Sequence, residues 1–259
     1  MLRKLSFAIL ATSAAALAAP VAAETLKVGV SAEPYPPFYA PDASGEWKGW
    51  EIDFMNELCA RIEAECIVTP VAWEGIIPAL NSEKIDMIIG SMSITPARAE
   101  QINFSDKYYD TPTALVMAKG SKFENSPEGL KGAYIGAQSG SIQQVYAEKY
   151  FAETASEIRF YQTLDEELQD LAAGRIDVVI GDSLAMEPFI TSDEGKACCE
   201  FKGAVAADQD VLGYGVGVGM RKEDTELLAK VNAAIAEIRT DGTYEKISAD
   251  YFTFDIYGE

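Results

Sequence analysis

Two α/β lobes of common ancestry are what this sequence predicts, and two observations carry the prediction. A short phrase occurs twice: Lys84-Ile85-Asp86-Met87-Ile88-Ile89-Gly90 returns as Arg175-Ile176-Asp177-Val178-Val179-Ile180-Gly181, each copy preceded at the same distance by a leucine, Leu80 or Leu171. Each is a short apolar, β-branched run of the kind that forms a strand buried on both faces. Around each copy the elements read in βαβαβ order, which implies a mostly parallel sheet with right-handed crossovers. A unit repeated once at this wide spacing means two similar lobes, not a solenoid of small repeats. A chain of 259 residues is long enough to give both a core.

The chain opens with an export leader. Arg3 and Lys4 form a charged start, Leu5 to Leu17 an apolar stretch too short to span a bilayer comfortably, and Val21-Ala22-Ala23 a small-residue cleavage site. Residues 1–23 are therefore expected to be a signal peptide, with Glu24 first in the mature chain and the product exported to the periplasm. Thr25 to Val30 reads as a strand. It runs into Ala32-Glu33-Pro34-Tyr35-Pro36-Pro37-Phe38, a proline-locked turn that can be neither helix nor central strand. Asp42 to Gly45 is a second turn. Ile52 to Ile62 has helical spacing, with Ile52, Met55, Leu58 and Ile62 on one face. Cys66 to Ala72 follows as strand, Gly75 to Leu80 as helix and Ile85 to Gly90 as strand. Thr95-Pro96 opens a short helix, Thr as N-cap and Pro at the first helical position.

The second lobe repeats the order. Ala114 to Ala118 is a strand at its entry and Ala133 to Gly136 another. A helix over Ile142 to Phe151 follows Gln138-Ser139-Gly140-Ser141. Then come a strand at Ile158 to Tyr161, a helix at Leu164 to Ala173 and the repeat strand Ile176 to Gly181. Val211 to Met220 reads as a glycine-alternating strand, and the helix Glu226 to Arg239 ends at the Asp241-Gly242 stop before an aromatic tail.

Composition narrows the function. Forty-one acidic residues against 21 basic give a formal charge of −20, which makes nucleic acid and anionic membranes poor partners. Such a field concentrates cationic ligands, or it simply keeps the surface solvated. Histidine is absent, which excludes His-based triads, general bases and His metal sites. Four cysteines remain. Cys59 and Cys66 sit where a helix ends and the next strand begins, and in an oxidising compartment they read as a disulfide pinning that corner. Cys198 and Cys199 are adjacent; a bond between them would be strained and is not expected. The spacing of the four does not suit zinc.

The chemistry-bearing residues stand at strand ends. In open parallel sheets ligands bind beyond the carboxyl ends of the strands, so two sheets facing each other form one cleft. After the first repeat strand come Ser91, Ser93 and Thr95 at a helix start, where free N–H groups favour an anion. Arg98 in the first turn opposes the helix dipole, so it either meets a ligand carboxylate or pairs with Glu100. After the second repeat strand comes Asp182, either a partner for an amino group or the N-cap of the next helix. Gly140-Ser141-Ile142-Gln143 is another helix start, a donor site or a plain capping turn. Tyr35 and Trp73 follow the first two strands, where they could sandwich the apolar stem of a ligand or rest on a cation.

Together these residues resemble a known family: the periplasmic polar amino-acid-binding proteins of ABC importers, solute-binding protein family 3, and most closely the branch that binds lysine, arginine, ornithine and histidine. The matching stretches are Tyr35-Pro36-Pro37-Phe38, Gly49-Trp50-Glu51-Ile52-Asp53, Ile76-Ile77-Pro78-Ala79-Leu80, Ser91-Met92-Ser93-Ile94-Thr95 with Arg98, Phe104-Ser105-Asp106, Gly174-Arg175-Ile176-Asp177, Gly217-Val218-Gly219 with Arg221-Lys222, and Asp241-Gly242-Thr243-Tyr244. They span nearly the whole mature chain, several as fold signatures more than ligand signatures.

The resemblance implies a type II two-lobed periplasmic-binding-protein fold joined by a two-strand hinge. Lobe 1 would comprise residues 24–109 and 216–259, lobe 2 residues 114–206, and the hinge residues 110–113 and 207–215. It implies that Ser93 and Arg98 hold a ligand α-carboxylate, that Asp182 holds the α-ammonium, and that Tyr35 and Trp73 flank the side chain. Gly90 and Ser91 would line the pocket, with Gln138, Ser141, Ile142 and Gln143 contributing from the second lobe, and the helix-end disulfide falls on Cys59 and Cys66. It further implies an amino-acid ligand, an inner-membrane ABC permease as partner, a monomer, no enzymatic turnover and no cofactor or metal.

Two departures bear on the ligand. Branches that bind basic amino acids carry an acidic residue in the turn before the tyrosine; here that turn is one residue longer, and Ser31 or Ala32 takes the position with Glu33 beside it. Ile142 stands where that branch has threonine and Gly90 where it has serine, and Gly90 would leave extra room for a bulkier or N-substituted amino acid. A cationic amino acid leads on branch and charge. A neutral polar amino acid or an opine-like conjugate is the alternative, and a periplasmic prephenate or arogenate dehydratase, with Asp182 or Glu33 as general acid, stands further behind.

Overall fold

A computed structural model describes residues 24–258. The expected signal peptide, residues 1–23, lies outside the described residues. The first half of the chain runs β1 (Glu24–Ser31), β2 (Ala40–Pro41), β3 (Trp47–Lys48), α1 (Trp50–Arg61), β4 (Ala64–Val71), a 3-10 turn (Trp73–Gly75), α2 (Ile76–Asn81), β5 (Met87–Ile88), α3 (Pro96–Ala99) and β6 (Asn103–Tyr109). The second half runs β7 (Thr113–Ala118), β8 (Tyr134–Gln138), α4 (Ile142–Tyr150), β9 (Glu157–Tyr161), α5 (Leu164–Ala172), β10 (Val178–Asp182), α6 (Ser183–Thr191), α7 (Asp193–Cys198) and β11 (Cys199–Ala204). The chain then continues through α8 (Gln209–Leu212), β12 (Val216–Met220), α9 (Thr225–Thr240) and α10 (Thr243–Ala249).

Ten strands form two five-stranded sheets in the orders β4-β1-β5-β12-β6 and β9-β8-β10-β7-β11, and β2 pairs with β3 as a separate two-stranded piece. Each five-stranded sheet has three parallel strands, then one antiparallel, then an edge strand. The pattern is the same in both, with the repeat strands β5 and β10 at matching central places. The antiparallel strand of each sheet comes from a crossing of the chain: β7 directly after β6, and β12 after β11. The fold is thus the two-lobed type II α/β architecture, with mostly parallel sheets.

Local chemistry explains the elements that position the cleft. β5 and β10 are apolar runs buried almost completely. Thr163 and Glu166 make a reciprocal capping box that starts α5, Ser141 caps α4, and Thr95 with Pro96 starts α3. The disulfide Cys59–Cys66 joins α1 to β4 as expected.

The structure differs from the sequence reading at several points, one of them the further helix α10 where an aromatic tail is expected after the Asp241-Gly242 stop. Val211 to Met220 is not one strand: Gln209–Leu212 is helical and β12 begins at Val216, after glycines with positive φ at 213 and 215. Cys198 and Cys199 are bonded to each other, where the backbone passes from α7 into β11. The sequence reading has no β6 or β11: Asn103–Tyr109 lacks an alternating pattern, and Cys199–Ala204 alternates over only four residues. The helix pair α6–α7 was hidden by Pro188 and Gly195. Among the described residues no helix is long and apolar enough to cross a membrane.

Candidate functional site

The carboxyl ends of the two sheets face one cleft that encloses about 720 Å³, its open mouth included. All twelve expected residues line it: Glu33, Tyr35, Trp73, Gly90, Ser91, Ser93 and Arg98 from the first sheet's side, and Gln138, Ser141, Ile142, Gln143 and Asp182 from the second.

The first wall is built from the ends of β1, β4 and β5. The turn after β1 folds back on itself, Tyr35 N–H donating to the Tyr39 carbonyl at 2.7 Å. The Tyr35 ring stacks on Phe38 and Tyr39 at 5.9 and 5.8 Å. Burial pushes the Tyr35 hydroxyl well above its ordinary value, with Asp182 adding to the shift, so it stays a neutral donor. Glu33 reaches the cleft and accepts from the Ser31 hydroxyl.

Arg98 is half-buried. Its guanidinium donates to the Ser93 carbonyl at 3.1 Å and, across the cleft, to the Gly140 carbonyl at 3.3 Å. It also lies over the Trp73 ring at 5.4 Å. The alternative pairing with Glu100 is not formed; among the described residues no carboxylate lies within ion-pair distance of Arg98. Burial lowers its pKa to about 10, the mark of a cation short of counter-charge.

Asp182 fills both roles that the sequence left open. Oδ1 caps α6, accepting from the N–H groups of Leu184 and Ala185 at 2.9 and 3.0 Å. Oδ2 accepts from the Thr111 hydroxyl and belongs to the cleft wall. Burial raises its pKa. Among the described residues neither Asp182 nor Glu33 has a Lys or Arg partner, and Asp110 also stands in the lining, so the cleft wall carries three carboxyl groups against the single guanidinium of Arg98.

Other expected donors are partly committed elsewhere. The Ser141 hydroxyl donates to the Gln138 carbonyl at 2.6 Å and accepts from Gln144 N–H at 3.0 Å, a capping turn as well as a cleft residue. The N–H groups of Ile142 and Gln143, in the first turn of α4, have no intrahelical acceptor and stand in the cleft lining. Ser91 turns its N–H and its hydroxyl toward Glu51, both at 2.8 Å.

The lining also holds Tyr39, Tyr109, Asp110, Thr111, Thr113 and Leu212, among others that the sequence reading gives no place in the site. Thr111, Thr113 and Leu212 lie on the crossings between sheets, and only closure of those crossings over the cleft brings them in. Glu51 belongs to the Gly49–Asp53 motif, but no periodicity marks a helix residue whose carboxyl reaches under a strand end.

Comparison with known proteins gives a consistent picture. The family model described as "Bacterial extracellular solute-binding proteins, family 3" matches residues 26–254. The lysine/arginine/ornithine-binding periplasmic protein of Escherichia coli K12 is 39% identical over 237 residues, 91% of this chain and 90% of that protein. The histidine-binding periplasmic protein of the same organism is 39% identical over 251 residues, 96% of each. A solved ancestral arginine-binding protein bound to arginine superposes with a TM-score of 0.81 at 32% identity, covering 90% of this chain and all of that one.

Proposed function

The chain belongs to the bacterial extracellular solute-binding proteins of family 3, and on that footing we propose that it captures a cationic amino acid of the arginine, lysine or ornithine type in the interlobe cleft. It would do so in the periplasm and deliver the ligand to an inner-membrane ABC permease. The observation that carries this reading is the charge arrangement of the cleft. Arg98 and Ser93 stand on one lobe and Asp182 on the other, fit for the α-carboxylate and α-ammonium of one zwitterion. Glu33, beside Tyr35, and Asp110 are then left over, fit for a distal cation. The ligand would bridge the lobes, and the crossings at 110–113 and 207–215 would serve as the hinge on which they close.

A thermal-shift panel of amino acids and opines tests the ligand class. Arginine, lysine or ornithine should raise the melting temperature; a shift with glutamine and none with these three rejects the cationic assignment. Asp182→Asn sharpens the test, because Asn still caps α6 while the charge is gone. Leaving the ligand ammonium unpaired costs about 3–5 kcal/mol, so affinity measured by titration calorimetry should fall by two orders of magnitude or more; undiminished affinity removes Asp182 from the site. The room that Gly90 leaves is taken up by β1, since a Cβ there would lie 3.3 Å from Val30 Cα; the opine arm of the panel tests the N-substituted alternative.

A further inference from the structure

Behind the cleft lining lies a carboxyl group that the ligand-facing residues do not account for. Glu51, on α1, is fully buried. Its Oε1 accepts from the Ser91 backbone N–H at 2.8 Å and from the Tyr108 hydroxyl; its Oε2 accepts from the Ser91 hydroxyl at 2.8 Å. Ser91 itself sits at φ 58, in the left-handed region that disfavours side chains. Two bonds to one carboxylate hold it there, in the lining between Gly90 and Ser93.

We propose that Glu51 is a positioning residue that sets, through Ser91, the hydrogen-bond polarity of the cleft floor and so selects for ligands with a donor group. The proposal rests on the reading above that the ligand is a cationic amino acid. An ionised carboxylate only accepts. The single hydroxyl proton of Ser91 is then spent on Glu51, and the oxygen shows only lone pairs, shared between the cleft and the Tyr109 hydroxyl beside it. Lone pairs suit a guanidinium or ammonium and do not suit a carbonyl or carboxylate. When Oε2 carries a proton, it donates to Ser91 Oγ, whose own proton is released toward the cleft, and the floor turns from acceptor to donor.

The surroundings allow this exchange near neutral pH. Burial raises Glu51 to about 7, opposed by the hydrogen bonds from Tyr108 and Ser91 and reinforced by the Asp182 carboxylate. The other groups facing it are the hydroxyls of Tyr35, Tyr39, Tyr108 and Tyr109, each raised well above its ordinary value by burial and therefore neutral.

The test is calorimetric titration with arginine from about pH 6 to 8.5 on the wild type, Glu51→Gln and Ser91→Ala. In the wild type, arginine affinity should fall roughly tenfold or more as pH drops through neutrality, the scale of one charge-linked hydrogen bond. Glu51→Gln places an amide donor where Oε2 stood. It should bind at the weak level throughout with no such step, and Ser91→Ala should lose the step as well. Wild-type affinity and profile in Glu51→Gln, or an unchanged profile in Ser91→Ala, overturns the proposal; the serine variant decides if the glutamine variant does not fold. A second measurement needs no ligand. The Ser91 amide proton resonance should titrate near neutral pH in the ligand-free protein, and a flat resonance overturns the proposal even if no amino acid binds. Failure of the wild type to bind any amino acid would instead defeat the functional reading alone.

Discussion

Glu167 is the residue whose burial asks most for an account. It is fully buried on the inner face of α5, and neither carboxyl oxygen has a hydrogen-bond partner. Burial pushes its pKa well above the ordinary value, so it sits neutral in the core at a cost of about 1–3 kcal/mol for its unmet donor and acceptor. Glu167→Leu should therefore raise the unfolding free energy by about that amount in denaturant titrations. Glu51 predicts a pH dependence of stability. Its ordinary value is 4.5 and its folded value about 7, so the native state keeps a proton that the unfolded state has lost. The stabilisation is full below pH 4.5 and disappears as pH rises through about 7. Glu51→Gln should flatten that part of the stability curve. Neither behaviour is legible in sequence, where Glu51 and Glu167 are two of 41 acidic residues; burial singles them out.

At the scale of elements, helix starts do double duty. Asp182, Ser141 and Thr95 each cap a helix, and the same three helices begin at strand ends facing the cleft. The turn before α4 also sets how closely the lobes meet. Gly140 has φ +72, and a Cβ there would lie 3.4 Å from Glu74 Cγ and 3.6 Å from Trp73 Cδ1. A larger side chain meets the opposite wall only when the cleft is shut. Gly140→Val should weaken ligand binding by about 1–3 kcal/mol, the usual cost of overpacking, and should also strain its own turn, whose carbonyl Arg98 meets, because φ +72 disfavours a side chain; calorimetry beside circular dichroism separates the binding loss from misfolding. The sequence marked this turn through its Gly-Ser pair. It could not show that Glu74 and Trp73 oppose it, because they belong to the other lobe.

For the whole molecule, the symmetry of the two sheets makes the cleft. Equivalent strands point their carboxyl ends inward from both sides, and the chain crosses twice, giving each sheet its antiparallel strand. Closure on a ligand should shrink the molecule: the radius of gyration from small-angle scattering should fall on adding arginine and stay constant for Asp182→Asn. The overall charge of −20 acts at this scale too. It should raise the association rate of a cationic amino acid at low ionic strength, and stopped-flow measurement should find that rate falling with salt while the rate for a neutral amino acid does not.

The doubled strand phrase, the proline turn and the Ser93–Arg98 and Asp182 strand ends were determined by the sequence alone, since local patterns of polarity and turn chemistry act within a few residues of one another. So were the two-lobed fold and the disulfide between Cys59 and Cys66. The tertiary structure decided the rest. It put Glu33 in the cleft, gave Asp182 its cap and its cleft face at once, bonded Cys198 to Cys199 and buried Glu51 beneath Ser91. Those outcomes depend on which groups share a space without water. That is set by how distant segments pack, and no local spacing records it.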